Sequence, residues 1–112
     1  MQPFTERVIA IIKGIPSGSV MTYGQIAACA GSPRGARQVV RILHSSSGKH
    51  HLPWHRVVNA KGEIAMQEEE ARYTQLLLLQ EEGVEPSLGG RIELEVYQHH
   101  PEPSGRAGDT GA

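Results

Sequence analysis

Two helix-start signals, at Thr22 and Ser32, stand only ten residues apart in this chain. That interval admits one helix, a tight turn and the start of another. Thr22 followed by Gln25 has the spacing of a capping box, in which each residue's side chain bonds the backbone N–H of the other. The spacing predicts a helix over 23–30 that stops at Gly31. Ser32 can cap the next helix, Pro33 is tolerated at its first position, and the apolar pattern runs on to Leu43. Two short helices across a glycine-containing turn make a helix-turn-helix. On the second, Ala36, Val39, Val40 and Leu43 share one arc, and Arg34, Arg37, Arg41 and His44 share another. One arc packs. The other is basic with no acid interspersed, which favours contact with a polyanion over an ordinary solvated face.

The charge distribution points the same way. The formal net charge is only −1, but residues 1–62 hold eight Lys or Arg against the single acid Glu6, a net of +7. The remaining residues hold three basic and eleven acidic side chains, a net of −8. A basic first half is the footprint of phosphate neutralisation, with two mutually paired faces as the plainer alternative.

The 112 residues suffice for one domain and one core. No apolar run approaches the roughly 18–20 residues that cross a bilayer, and no charged-then-apolar leader is visible, so a soluble cytoplasmic protein is expected, nucleoid-associated when on DNA. The lone Cys29, between Ala28 and Ala30, excludes an internal disulfide and reads as a small core residue; a reactive thiol is the competing reading.

Elsewhere, Phe4, Val8, Ile9, Ile11 and Ile12 form a helical stripe over 3–13, which Gly14 is placed to end in a left-handed conformation. Residues 15–18 read as a turn, Val20 and Met21 as a short extended entry, and 45–49 (Ser-Ser-Ser-Gly-Lys) as a loop. A turn at 59–62 between Val57-Val58 and Ile64-Ala65 suggests a small wing. A helix is expected over 68–82, closed by Gly83, and Ile92, Leu94 and Val96 alternate with acids as in a short strand. From residue 98 the composition is that of a disordered tail, which leaves a domain over 1–97.

The most specific segment is 52–58, Leu-Pro-Trp-His-Arg-Val-Val. It resembles the Pro-Cys-His-Arg-Val motif of the O6-alkylguanine-DNA alkyltransferases with tryptophan in the cysteine position, the mark of the alkyltransferase-like proteins. With the preceding helix-turn-helix, the resemblance covers residues 1 to about 97. It implies an α+β, mainly helical fold: a winged helix-turn-helix-like domain similar to the C-terminal DNA-binding domain of the alkyltransferases. It also implies a protein that binds O6-alkylguanine in duplex DNA, flips the nucleotide, and passes the lesion to nucleotide-excision-repair proteins as a monomer without cofactor or metal. The alkyltransferase nucleophile is a thiolate, and the indole of Trp54 offers no comparable lone pair, so alkyl transfer is not expected. Trp54 would instead wall the lesion pocket together with Tyr23, His55, Arg56 and Val57.

By the same resemblance, His55 and Glu82 are a residual proton relay, Arg37 fills the gap left by the flipped nucleotide, and Tyr23 presses on the phosphate beside it. The basic arc adds Arg34 and Arg41 to the DNA contacts, with Gly35 and Ala36 allowing close approach and Ser46 also expected on DNA. Ser46 stands where the alkyltransferases have an asparagine, and residues 64–67 (Ile-Ala-Met-Gln) hold no match to their Tyr-Ser pair, so the residue closing the pocket is left open. Three other readings compete: a winged-helix regulator of undamaged DNA, divalent-ion binding by His50, His51 and His55, and alkyl acceptance by Cys29.

Overall fold

The computed structural model describes residues 3–64 and 66–101. Its elements are α1 (Phe4–Lys13), β1 (Met21–Thr22), α2 (Tyr23–Cys29), α3 (Ala36–His50), a 3-10 turn (Trp54–Arg56), β2 (Val57–Val58), α4 (Glu69–Glu81) and the single-turn α5 (Leu94–Tyr97). This is a mainly helical α+β architecture, winged-helix-turn-helix-like, with α1, α2 and α3 packed on one another.

The capping box at Thr22 is present in full: the hydroxyl accepts from the Gln25 N–H at 3.0 Å, and the Gln25 side chain accepts from the Thr22 N–H at 3.3 Å. At the other end of α2, Ser32 N–H reaches Ala27 O and Gly31 N–H reaches Ala28 O, with Gly31 at φ 98°. That pair of bonds is a Schellman motif. Gly83 closes α4 in the same way, its N–H on Gln80 O and that of Val84 on Leu79 O. Buried Val84 supplies the apolar contact that accompanies the motif.

Several expectations need correction. Gly14 is not left-handed, since its N–H stays on the carbonyls of Ala10 and Ile11; the left-handed residue is Gly18, at φ 89°. Ser32 does not cap α3. Its carbonyl accepts from Gly35 N–H at 2.8 Å in a turn that holds Pro33 and Arg34, and the helix begins at Ala36. Nor does α3 end at Leu43. It runs through 45–49 to His50, because the left-handed His51 (φ 53°) lets Leu52 fold back onto Ser47 O and enter the core, 4% exposed. Cys29 is exposed rather than buried, and Ala30 takes the core position.

Val57-Val58 does not pair with Ile64, and Ala65 lies outside the described residues. Its partner is Met21-Thr22, in parallel, with Met21 opposite Val57. Instead of a two-stranded wing, Asn59 Oδ1 accepts from the N–H of Lys61 and of Glu63, forming a compact turn. Leu94 and Val96 lie in a helical turn, while Gln98 and His99 are hydrogen-bonded beside Val20, so ordered structure runs past residue 97. Residues 102–112 of the expected tail lie outside the described residues.

Two apolar clusters result. The larger joins Val8, Ile12, Met21, Ile26, Val39 and Leu43 to Val57. The smaller joins Val20, Val58, Leu79, Val84 and Ile92. The strand pair bridges them, contributing Met21 and Val57 to the first and Val58 to the second. The 59–63 turn is fixed to the second cluster by Ile92 N–H on Gly62 O at 2.8 Å.

Gly62 has φ 80°, and a Cβ there would run into the Ile92 carbonyl, whereas at Gly83 (φ 91°) a Cβ would meet nothing within 4 Å. Gly62→Ala should therefore cost about 2–4 kcal/mol and Gly83→Ala only about 1 kcal/mol, the left-handed penalty alone. Urea unfolding of the two variants checks the difference.

Candidate nucleic-acid interface

The cationic surface is smaller than the charge count suggests. Arg7 and Arg56 face inward, Arg7 Nε bonding Ala30 O at 2.8 Å and Arg56 holding Glu82. Lys13, Arg34, Arg37, Arg41, Lys49 and Lys61 are exposed. Arg37 and Arg41 lie one turn apart on α3, and His44, three residues further, continues their line. Arg34 sits off the helix in the preceding turn. Ala36 begins the helix, half-buried.

Gly35 is small for an internal reason. A Cβ there would come within 3.1 Å of the Phe4 ring and of Ser32 O, so its lack of a side chain serves packing of α1 against the turn.

The line of Arg37, Arg41 and His44 ends at two adjoining cavities. One, of about 270 Å³, is walled by Trp54, Leu43, His44, Ser47, Met66, Glu68 and Ala71. The other, of about 410 Å³, lies against Tyr23, Val40 and Gln67 and shares His44, Met66, Glu68 and Ala71 with the first. Trp54 and Tyr23 thus stand at the two ends of one recess between α3 and α4. Trp54 is half-buried, packed on the larger cluster, with the His55 ring edge-on at 6.3 Å. Burial raises the pKa of the Tyr23 phenol above its ordinary value.

Of the five expected pocket residues, the structure places Trp54 and Tyr23 on the recess and the other three behind it. Val57 is buried in β2 at 1% exposure. Arg56 forks onto Glu82, with Nε 3.0 Å from Oε1 and one terminal nitrogen 2.6 Å from Oε2, and its other terminal nitrogen donates to Ile15 O at 2.8 Å. His55 Nε2 lies 2.8 Å from Glu82 Oε2. The expected His55–Glu82 pair is therefore present. Arg56 completes a three-sided clamp and does not line either cavity, each of its three guanidine nitrogens donating inside the fold.

Burial alone would raise the Glu82 pKa. Hydrogen bonds from Arg56, then His55, then the Gly18 N–H at 3.1 Å, together with the His55 charge, outweigh it and hold the carboxyl at about 2. Gln75, 1% exposed on α4, braces the same segment by donating both amide hydrogens, at 3.0 Å each, to the carbonyls of His55 and Val57. Its Oε1 is buried without a partner among the described residues.

His44, Ser47, Met66 and Glu68 were missed as lining residues, and Ser47 rather than Ser46 faces the Trp54 cavity. The clue available was helical spacing: once α3 continues past Leu43, Val40, His44 and Ser47 fall on one stripe. Among the described residues, no three His, Cys, Asp or Glu side chains converge as metal ligands, and no helix is long and apolar enough to cross a membrane.

A family model described as the DNA-binding domain of 6-O-methylguanine DNA methyltransferase matches residues 3–84. The chain is 44% identical over 95 residues to a DNA base-flipping protein of Escherichia coli, covering 85% of this chain and 73% of that one. It is 39% identical over 106 residues to alkyltransferase-like protein 1 of Schizosaccharomyces pombe, covering 90% and 98%. The fold superposes with a TM-score of 0.78 and 35% identity on the crystal structure of S. pombe Atl1 in complex with damaged DNA containing O6-carboxymethylguanine, over 90% of this chain and 100% of that one.

Proposed function

Because the chain belongs to the alkyltransferase-like family, the relatives of 6-O-methylguanine DNA methyltransferase that share its DNA-binding domain, we propose that it finds O6-alkylated guanine in duplex DNA by flipping the nucleotide and does not repair it. The observation that carries this reading is Trp54 on the wall of a base-sized recess, at the position where the motif resemblance expects a thiolate. An indole stacks on a base face but cannot accept an alkyl group from it. The exposed arginines of α3 grip phosphates beside the recess, and Tyr23 presses on the backbone at its other end. His55 and Glu82 no longer activate a nucleophile; with Arg56 they hold the Trp54 segment to the fold. The protein acts in the cytoplasm, as a monomer on nucleoid DNA, and hands the marked lesion to nucleotide-excision-repair proteins.

The decisive experiment titrates one duplex with and without a single O6-methylguanine, following fluorescence anisotropy. Preference for the lesion supports the reading, and equal affinity would favour a regulator of undamaged DNA. Mass spectrometry of the chain after incubation with methylated DNA should show no added methyl, on Cys29 or elsewhere.

Arg37→Ala should weaken binding to the lesion duplex about 10-fold, since a filled base stack offsets part of the few kcal/mol that flipping costs. Its stability should stay within about 0.5 kcal/mol of wild type, because Arg37 is exposed on a helix. Undiminished affinity in this variant would remove Arg37 from the interface.

A further inference from the structure

On its outward side α4 carries a second concave surface. Tyr73 and Leu76 wall a shallow cavity of about 590 Å³ together with Glu69, Glu70 and Arg72. Leu76 and Arg72 also wall a neighbouring cavity of about 320 Å³, with Ile64, Glu63 and the Gly89-Gly90 turn, so the two form one groove. Tyr73 is 65% exposed, Leu77 one turn further on is exposed as well, and Leu88 stands fully exposed in a turn pinned by Ser87 N–H on Arg91 O at 2.8 Å. Apolar side chains grouped along a groove and rimmed by charge mark a contact surface, where scattered ones would not. This groove faces away from the recess: Ala71 lines the recess and Tyr73 the groove, and residues two apart point about 200° apart round a helix.

Resting on the handover in the reading above, we propose that this groove is where the protein that takes over the lesion docks, through a segment that lays an aliphatic or aromatic side chain between Tyr73 and Leu76 and sets Lys or Arg beside Glu63, Glu69 and Glu70. Charge complementarity selects that occupant. Three carboxylates and one guanidinium line the groove, within a second half of the chain whose net charge is −8, so phosphates are repelled and a cationic protein segment is drawn in. Residues 102–112 hold no aliphatic side chain larger than alanine or proline and no aromatic one, so the chain's own tail does not supply the anchor. With the basic residues on α3 and the groove on the far side of α4 from the recess, DNA and the partner are held at the same time.

The probe is a peptide selected from a random phage-displayed library on the full chain loaded with an O6-methylguanine duplex, and then synthesised with a fluorescent label. Enriched sequences should carry Leu, Phe or Trp flanked by Lys or Arg. Tyr73→Ala should weaken the peptide about 10-fold, as loss of an aromatic anchor does, and Glu69→Gln with Glu70→Gln about 5-fold. Both variants should keep the wild-type circular dichroism and bind the lesion duplex within about 2-fold of wild type, because these side chains are exposed and lie off the recess. The peptide should bind the free and the DNA-loaded chain alike. Selection of acidic sequences or of none, or a peptide whose affinity is the same in Tyr73→Ala, overturns the proposal, and so does a peptide that the duplex displaces. A concentration-dependent dimer in sedimentation that Tyr73→Ala abolishes would make the occupant a second copy and overturn the assignment to a different protein. Lesion recognition is read separately: peptide binding that persists in a chain with no preference for the lesion would overturn the handover and that reading while leaving the groove as a docking surface.

Discussion

Trp54→Ala is expected to lower the preference for a lesion-bearing duplex over an undamaged one by about 10-fold to 100-fold, because base–aromatic stacking contributes about 1–3 kcal/mol. Binding to undamaged DNA should change little, since the exposed cations of α3 and its flanking turns are untouched. The ratio of the two affinities is the informative quantity. Trp54 also packs on the larger apolar cluster, so some loss of stability will accompany the substitution, and the titrations belong well below the variant's unfolding midpoint. A variant that retains the wild-type ratio would show that the indole is only a packing residue.

The second large effect concerns the clamp beneath the recess. Glu82→Gln keeps the shape of the side chain and removes the charge that answers Arg56, leaving a guanidinium only 18% exposed. Loss of one partner from such a pair should cost about 2–4 kcal/mol, a fall in Tm of about 10 °C or more. The pH dependence has a definite sign. Glu82 ionises at about 2 in the folded chain against an ordinary value of 4.5, so its contribution is fully present above about pH 4.5 and declines as pH falls towards 2. Urea midpoints of wild type should drop through that window more steeply than those of Glu82→Gln. Parallel profiles would mean that the carboxylate is not held by its three donors.

Local signals in the sequence were read well where the physics is local. The capping box of Thr22 and Gln25, the stripe of α1 and the glycine stops at Gly31 and Gly83 each depend on residues within one helix and its ends, and each appears as expected. The failures share a different cause. Ser45, Ser46, Ser47 and Gly48 have loop composition, yet they are helical because Leu52 beyond them is drawn into the core. Val57-Val58 has the look of half a hairpin, but its partner lies some 35 residues away in β1. Arg56 was expected on the lesion pocket because the motif carries it beside Trp54 and His55; only the fold reveals the carboxylate that its guanidinium engages.

The site was legible in part for the same reason. Trp54 and Tyr23 were named through the family resemblance, and both line the recess. His44 on α3 and Met66 and Glu68 in the segment before α4 meet only when α4 packs on the 3-10 turn that carries Trp54, an encounter that no run of neighbouring residues specifies.

Gln75 gives that encounter a consequence for how the molecule is built in time. The helix-turn-helix rests on contacts between neighbouring elements, whereas the carbonyls of His55 and Val57 have their bonds from Gln75 only once a helix some twenty residues downstream has arrived. Segments that wait on distant partners form late and open early. On a nascent or thermally loosened chain, the ability to hold DNA would precede the ability to judge it, and discrimination would be the first property lost on warming and the last regained on refolding.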